Sequence, residues 1–385
     1  MHGTVFFRPQ MKFAKLIAWV TLVTVMGLRS SDVSAAVTHY VTTNGPGPSP
    51  YTNWTTAASN IPDALTASAA TDDTILVTNG TYLLSSQIDV SKSVTIKSVN
   101  GYGSTIVNGN GAYRCFYIHA SSAVVDGFTI TNGYKVSGQG AGVYIDTAGG
   151  TVRNCLITGN IIPTSDGGSF GAGVFLTSGG LVENCIIRGN VAAGYRAGGV
   201  WIGGGVLRNC LVVSNYAGNQ GAGIYMAFGT GTGEIQNCTI TGNGPVTNQG
   251  SGIMVECWGT AVPTVYNTIS YLNPCAINDP ASSNLYIVSG TLTNNFSNNC
   301  MPQAAAILLP LSGSGNINVD PQYRDPAGGD FRLRKGSPCM ETGTNQGWMA
   351  GALDLDGHPR IFYGASVDMG AYEYFVPGGT LFSFH

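Results

Sequence analysis

Between roughly residues 72 and 270, apolar and polar positions alternate in short runs, and most runs are closed by Gly or Asn. Alternation of period two over so short a span predicts strands, and turn formers at their ends predict tight corners. The runs also repeat. Val152-Arg153-Asn154-Cys155-Leu156-Ile157-Thr158-Gly159-Asn160 returns at 182–190, 207–215 and 235–243, and in drifted form from Val265 to Asn273. Between the copies lie Ala141-Gly142-Val143-Tyr144-Ile145 and its equivalents at 172–176, 198–202, 222–226 and 251–255. The mean period of about 27 residues fits a solenoid with three short strands per turn. Thr74–Val77, Val94–Ile96, Thr105–Val107, Phe116–Ile118 and Val124–Ile130 read as earlier, less regular rungs.

In such a stack Asn154, Asn184, Asn209, Asn237 and Asn267 fall at one corner. Asn tolerates a left-handed backbone there, and its amide can bond the copies above and below. Cys155, Cys185, Cys210 and Cys238 take one inward position, about 4.8 Å apart along the axis. Parallel side chains at that spacing are too far apart for unstrained disulfides, so these thiols are expected to be small apolar core fillers. For Cys115, Cys257, Cys275, Cys300 and Cys339 free thiols and bridges both remain open. A solenoid end exposes its core and needs a cap. Residues 55–70, with Trp54 before them and Ile61, Ala64 and Leu65 within, are expected to form an amphipathic capping helix. The expected organisation is an export segment (1–36), a first strand and cap (37–71), the solenoid (72–316) and a small C-terminal module (317–385).

Composition and charge narrow the function. The chain has 385 residues with 55 Gly and only 10% charged residues, which excludes a disordered chain and a helix bundle. Lys12 and Lys15, the uncharged run from Leu16 to Leu28, and Val33-Ser34-Ala35 match the three parts of a secretory signal. Export and cleavage near Ala35 or Ala36 are expected. The apolar run is too short to span a bilayer and no later segment approaches the roughly 20 residues needed, so no transmembrane segment is expected. The formal net charge is −3, and loss of residues 1–36 makes the remainder more acidic. Without a basic cluster, nucleic acid is an improbable partner class.

The repeats resemble the right-handed single-stranded parallel β-helix proteins of the pectin-lyase-like superfamily, secreted bacterial ones in particular. The Gly-Ala-Gly-Val-Tyr and Ile-Thr-Gly-Asn elements are also similar to polymorphic-membrane-protein repeats. From Val319-Asp320-Pro321 through Gly336-Ser337-Pro338 and Asp354-Leu355-Asp356-Gly357 to Val367–Glu373, the tail resembles a choice-of-anchor Q type region. The resemblance implies an all-β fold of three sheets. It also implies that the variable loops 160–170, 190–197, 215–221 and 243–250 lead into the substrate-facing first sheet. That sheet carries Tyr144, Phe175, Trp201, Tyr225 and Met254 on its outer face. Such a row either seats sugar rings or stacks on itself as a ladder.

Catalytic signals on this face are sparse. The outward acids Asp146 and Glu256 are four rungs apart, about 19 Å, beyond the reach of a paired-carboxylate mechanism. Asp166, Arg196 and Lys135 lie in the preceding loops, and Asp146, Asp166 and Arg196 are the residues from which a site could be assembled. Arg153, Arg208, Glu183 and Gln236 are expected to form a solvated edge beside the Asn corner. His119 and the other histidines lack metal-ligand spacing, so no metal or cofactor is expected. Asp354-Leu355-Asp356-Gly357 has part of a calcium loop but lacks its glutamate, which favours a surface turn over Ca2+. The combined expectation is a secreted or cell-surface β-helix protein. Its function would be adhesion or glycan binding, without catalysis, along Tyr144, Phe175, Trp201, Tyr225, Asp146 and Arg196. A polysaccharide lyase or hydrolase is the alternative, and a structural spacer the third reading.

Overall fold

A computed structural model describes residues 35–69, 71–163, 168–274, 283–288, 295–301, 313–362 and 364–375. Almost all of the expected export segment, together with Asp166 and Cys275, lies outside the described residues. The chain winds as a right-handed parallel β-helix with three long sheets. Among the described residues the first sheet has eight strands, from Ile88–Val90 through Val143–Ile145 to Leu285–Ile287. The second has ten, from Thr38–Val41 to Asn295–Ser297, and the third has eight, from Gly80–Leu83 to Ile269–Tyr271. One turn visits them in order as Val143–Ile145, Gly150–Arg153 and Leu156–Thr158. Neighbouring rungs pair in parallel, so Tyr144 stands opposite Phe175 and Phe175 opposite Trp201. Ile161–Ile162, Val191–Ala192 and Tyr216–Ala217 add a short fourth facet.

Two columns of Asn hold the turns together. At the corner between the second and third sheets, Asn154, Asn184, Asn209, Asn237 and Asn267 all have φ between 47 and 54°. Asn184 donates to the Asn154 side chain at 3.4 Å, and Asn267 to that of Asn237 at 3.1 Å. The second column, Asn160, Asn190, Asn215, Asn243 and Asn273, is buried in every member, whereas Asn154 and Asn184 of the corner column reach solvent, and it follows the third sheet. Each of its amides reaches the next rung; the Asn190 Nδ2 donates to Asn215 at 3.0 Å and to the Ile157 carbonyl at 3.0 Å. This column explains the Gly of the strand motif. A Cβ on Gly173 would lie 2.6 Å from the Gly199 carbonyl oxygen and 2.9 Å from the Asn190 amide nitrogen.

The column of thiols is fully buried, and its four members are free. They do more than fill space. The Cys185 N–H donates to the Cys210 sulfur at 3.4 Å, and where the repeat has drifted the Thr268 hydroxyl accepts from the Cys238 N–H at 3.3 Å.

The ends differ in detail from the sequence expectation. The cap is two short pieces, a 3-10 turn at Trp54–Thr56 and an α-helix at Ile61–Ala67. Ala58 between them pairs with Val41, and Pro62 fixes the start of the helix behind the Asn60 N-cap. Ile61, Ala64 and Leu65 close the core, while Lys92 caps the carbonyls of Leu65, Thr66 and Ser68. The C-terminal segment runs back along the Asn corner after the hairpin Tyr323–Asp325 and Asp330–Leu333. Asn209 donates to the Leu353 carbonyl, Asn267 to that of Thr344 and Asn237 to that of Asp368. The buried Arg360 guanidinium bonds Glu373 at 2.7 Å, the Gly370 carbonyl at 2.9 Å and the Asn209 side chain. The edge beside this corner is more tightly paired than expected, with Arg153 on Asp126 at 3.1 Å and Arg208 on Glu183 at 2.6 Å. Arg208 also lies over the Trp348 ring of the C-terminal segment. Among the described residues no helix is long and apolar enough to cross a membrane.

Candidate functional site

Strand alternation turns one side chain per rung outward from the first sheet: Asp89, Tyr117, Tyr144, Phe175, Trp201, Tyr225, Met254 and Tyr286. The row is in contact throughout its aromatic stretch. Ring centroids are 5.2 Å apart from Tyr117 to Tyr144, 5.0 Å from Tyr144 to Phe175, 6.0 Å from Phe175 to Trp201 and 4.7 Å from Trp201 to Tyr225.

The two halves of the row differ in access, which alters the picture of one open aromatic face. Tyr225 and Met254 are buried and Trp201 nearly so. The cause is the loop that enters each rung. Gln139, Phe170, Arg196 and Gln220 bridge to one another as a parallel column, carrying the loops over the sheet. The Phe170 ring lies 4.1 Å from that of Trp201, and the Arg196 guanidinium lies over the Tyr195 and Tyr225 rings at 4.8 and 4.9 Å. Arg196 bonds Glu256 at 2.9 Å, and the Tyr225 hydroxyl donates to the same carboxylate. Burial and that carboxylate push the Tyr225 phenol far up. Arg196 is thus committed to Glu256, and the structure does not describe Asp166, the third residue from which the sequence could assemble a site.

The open half lies toward the N-terminal rungs, where Tyr117, Tyr144 and Phe175 are half-buried. Beside them, in the next outward row, stand His119 and Asp146. The Tyr117 hydroxyl donates to Asp146 at 2.7 Å and the Thr147 N–H donates to it at 2.6 Å. These bonds hold the Asp146 carboxyl below its ordinary range and, with burial, push the Tyr117 phenol up to about 12. His119 stacks on Tyr117 with centroids 4.7 Å apart and pairs with Asp89 at 2.5 Å. Arg114 lies over Tyr117 and Tyr144, and its nitrogens bond the Gly140 and Gln139 carbonyls and the Gln87 side chain at 2.8–3.1 Å. Asp89, Arg114, Tyr117 and His119 did not emerge as site residues from the sequence. Asp89 was legible in Gln87-Ile88-Asp89-Val90, an apolar-polar alternation that makes one more rung with its acid outward.

Residues 79–270 match the family model described as a right handed beta helix region. Solved structures similar to this chain include a pectin methylesterase from Aspergillus niger, at 15% identity over 76% of this chain and 92% of that one, with a TM-score of 0.42. A pectin methylesterase in complex with hexasaccharide VII is 13% identical over 68% of this chain and 78% of its own, with a TM-score of 0.36. The pectin methylesterase PemA from Erwinia chrysanthemi is 11% identical over 77% and 98%, with a TM-score of 0.35. No curated protein matches the sequence.

Asp354, Asp356 and His358 form the one acid-and-histidine cluster among the described residues that is close enough to hold a metal ion. Its oxygens are engaged within the protein. Asp354 accepts the N–H groups of Asp356, His358 and Glu373 at 2.8–2.9 Å, and Asp356 is held by Arg332 through two bonds of 2.5 and 2.7 Å. A calcium ion needs six to eight oxygens, and this turn would have to give up Arg332 to offer even its own.

Proposed function

We propose that this is a secreted or cell-surface protein that binds a glycan on the open half of the first sheet without cleaving it. The observation that carries the reading is the half-buried run Tyr117, Tyr144 and Phe175, flanked by the carboxylates of Asp89 and Asp146. Apolar sugar faces suit the rings, and carboxylates are acceptors for sugar hydroxyls. Two features argue against catalysis. Asp146 is held ionised by its hydrogen bonds, which is the wrong state for a general acid. The Arg196 guanidinium is paired with Glu256 and so is not free to neutralise a uronate or take its proton. The carboxylates of Asp89 and Asp146 favour neutral or amino sugars over polyuronates. The enzyme reading rests on the His119–Asp89 pair beside Asp146.

Binding to a panel of neutral, amino-sugar and uronate polymers, with product release followed on each, tests both readings. Retention of a neutral or amino glycan that Tyr144→Ala abolishes supports the proposal. Retention of nothing refutes it, and turnover that Asp146→Asn or His119→Ala abolishes transfers the site to an enzyme.

A further inference from the structure

Cys300 and Cys339 belong to different parts of the chain. Cys300 follows Asn295–Ser297, the last strand of the second sheet, and Cys339 lies beyond the C-terminal hairpin. Backbone bonds bring them to one place. The Cys300 N–H donates to the Thr268 carbonyl at 2.9 Å, the Gly370 N–H to the Asn267 carbonyl at 2.7 Å, and the Met369 N–H to the Cys339 carbonyl at 2.9 Å. Each cysteine is therefore one backbone bond from a neighbour in a directly linked pair. Both are fully buried in a single apolar cluster with Ile269, Tyr323, Leu333 and Met369. Both are free thiols in the structure; the Cys300 thiol, followed by burial, pushes the Cys339 thiol up, and the Cys300 Sγ donates to the Val319 carbonyl at 3.2 Å.

We propose that Cys300 and Cys339 form a disulfide that fastens the C-terminal segment to the end of the solenoid. The stacked thiols of Cys155, Cys185, Cys210 and Cys238 are a different case. They are parallel side chains on adjacent rungs, held at strand spacing by their ladders, and each donates to the backbone carbonyl two residues before it. Cys300 and Cys339 come from two segments that meet in one cluster; Cys300 is bridged to Ile269 and Ile317, and among the described residues no strand pairing joins it to Cys339. Pairing joins the two Sγ atoms and releases two protons and two electrons. A small-molecule or protein disulfide, such as oxidised glutathione or a thiol oxidoreductase, accepts them and is reduced to thiols. Because attack requires a thiolate and burial suppresses it, the bond forms before the cluster closes and resists reductant afterwards.

The test is a non-reducing peptide map of the full chain folded in a glutathione redox buffer, with free thiols alkylated after denaturation. The expected result is one linked pair joining the Cys300 and Cys339 peptides, while Cys155, Cys185, Cys210 and Cys238 are alkylated. Alkylation of both Cys300 and Cys339, or linkage of either to another cysteine, overturns the proposal. As a second measurement, reductant present during unfolding should lower the melting temperature of the wild type and leave that of Cys300→Ser/Cys339→Ser unchanged. Equal sensitivity of the two proteins would also overturn it.

Discussion

Removing Asn215 from the second Asn column should cost far more than removing Asn184 from the corner column, although both columns belong to the same repeat. The Asn215 side chain accepts from the Asn190 N–H at 3.1 Å and the Asn190 Nδ2 at 3.0 Å. It donates to the Ile187 carbonyl at 2.9 Å and to Asn243 at 3.0 Å. Asn243 keeps another donor, the Asn215 backbone N–H at 3.0 Å. Asn215→Ala therefore orphans two donors and one carbonyl, all buried, at about 1–3 kcal/mol each. The sum is about 3–9 kcal/mol. Asn184, at φ 52° in the corner column, is partly exposed; its 3.4 Å bond to Asn154 can be replaced by water, and Asn209, which donates to it at 2.5 Å, keeps its bond to the Leu353 carbonyl at 2.8 Å. Asn184→Gly also suits the left-handed backbone, so its cost should stay within about 1 kcal/mol.

Turns of a solenoid can open semi-independently, so hydrogen exchange is the appropriate assay. The Asn190 amide reports directly, since its N–H is the donor that loses its acceptor. Its protection should fall by about a hundredfold or more in Asn215→Ala and by less than about tenfold in Asn184→Gly. Equal protection in the two variants would refute the assignment of the second column as the stronger tie.

Gly199→Ala should destabilise the solenoid by about 1–3 kcal/mol or more in urea unfolding, because the new Cβ would sit 2.4 Å from the Gly223 carbonyl oxygen. Arg360→Met leaves the Glu373 carboxylate buried without its partner and should cost about 3–5 kcal/mol, seen as earlier proteolysis of the C-terminal segment. Burial pushes the Glu373 carboxyl up from 4.5 to about 7 and raises that of Asp368 as well. A raised folded-state value means that the folded protein holds a proton the unfolded chain has lost. The resulting stabilisation is complete below about pH 4.5 and disappears as pH rises through about 7, with up to about 3 kcal/mol from Glu373. Thermal melts across that window should show a falling trend that Glu373→Gln flattens, and an unchanged slope would count against the burial argument.

What the sequence could show followed from periodicity, and what it hid followed from contacts between distant segments. The repeats place Asn184, Cys185 and Phe175 in separate columns because an in-register parallel stack forces equivalent positions into line. The same logic covers Asn190, whose burial is not evident from an Asn at the end of a run but follows from Gly173 opposite it, where no side chain fits. Tyr225 is the instructive failure. Its parity is outward, yet Arg196, from a loop outside the strand alternation, lies over the ring and joins it to Glu256 on the next rung. Burial of an outward residue depends on what its loops carry, and strand parity holds no information about that. Arg360 meets Asn209 from far along the chain for the same reason. The corner amides have one side free of the stack, so a returning segment with carbonyls and a guanidinium to offer can dock there, and the column that joins the turns also seats the tail.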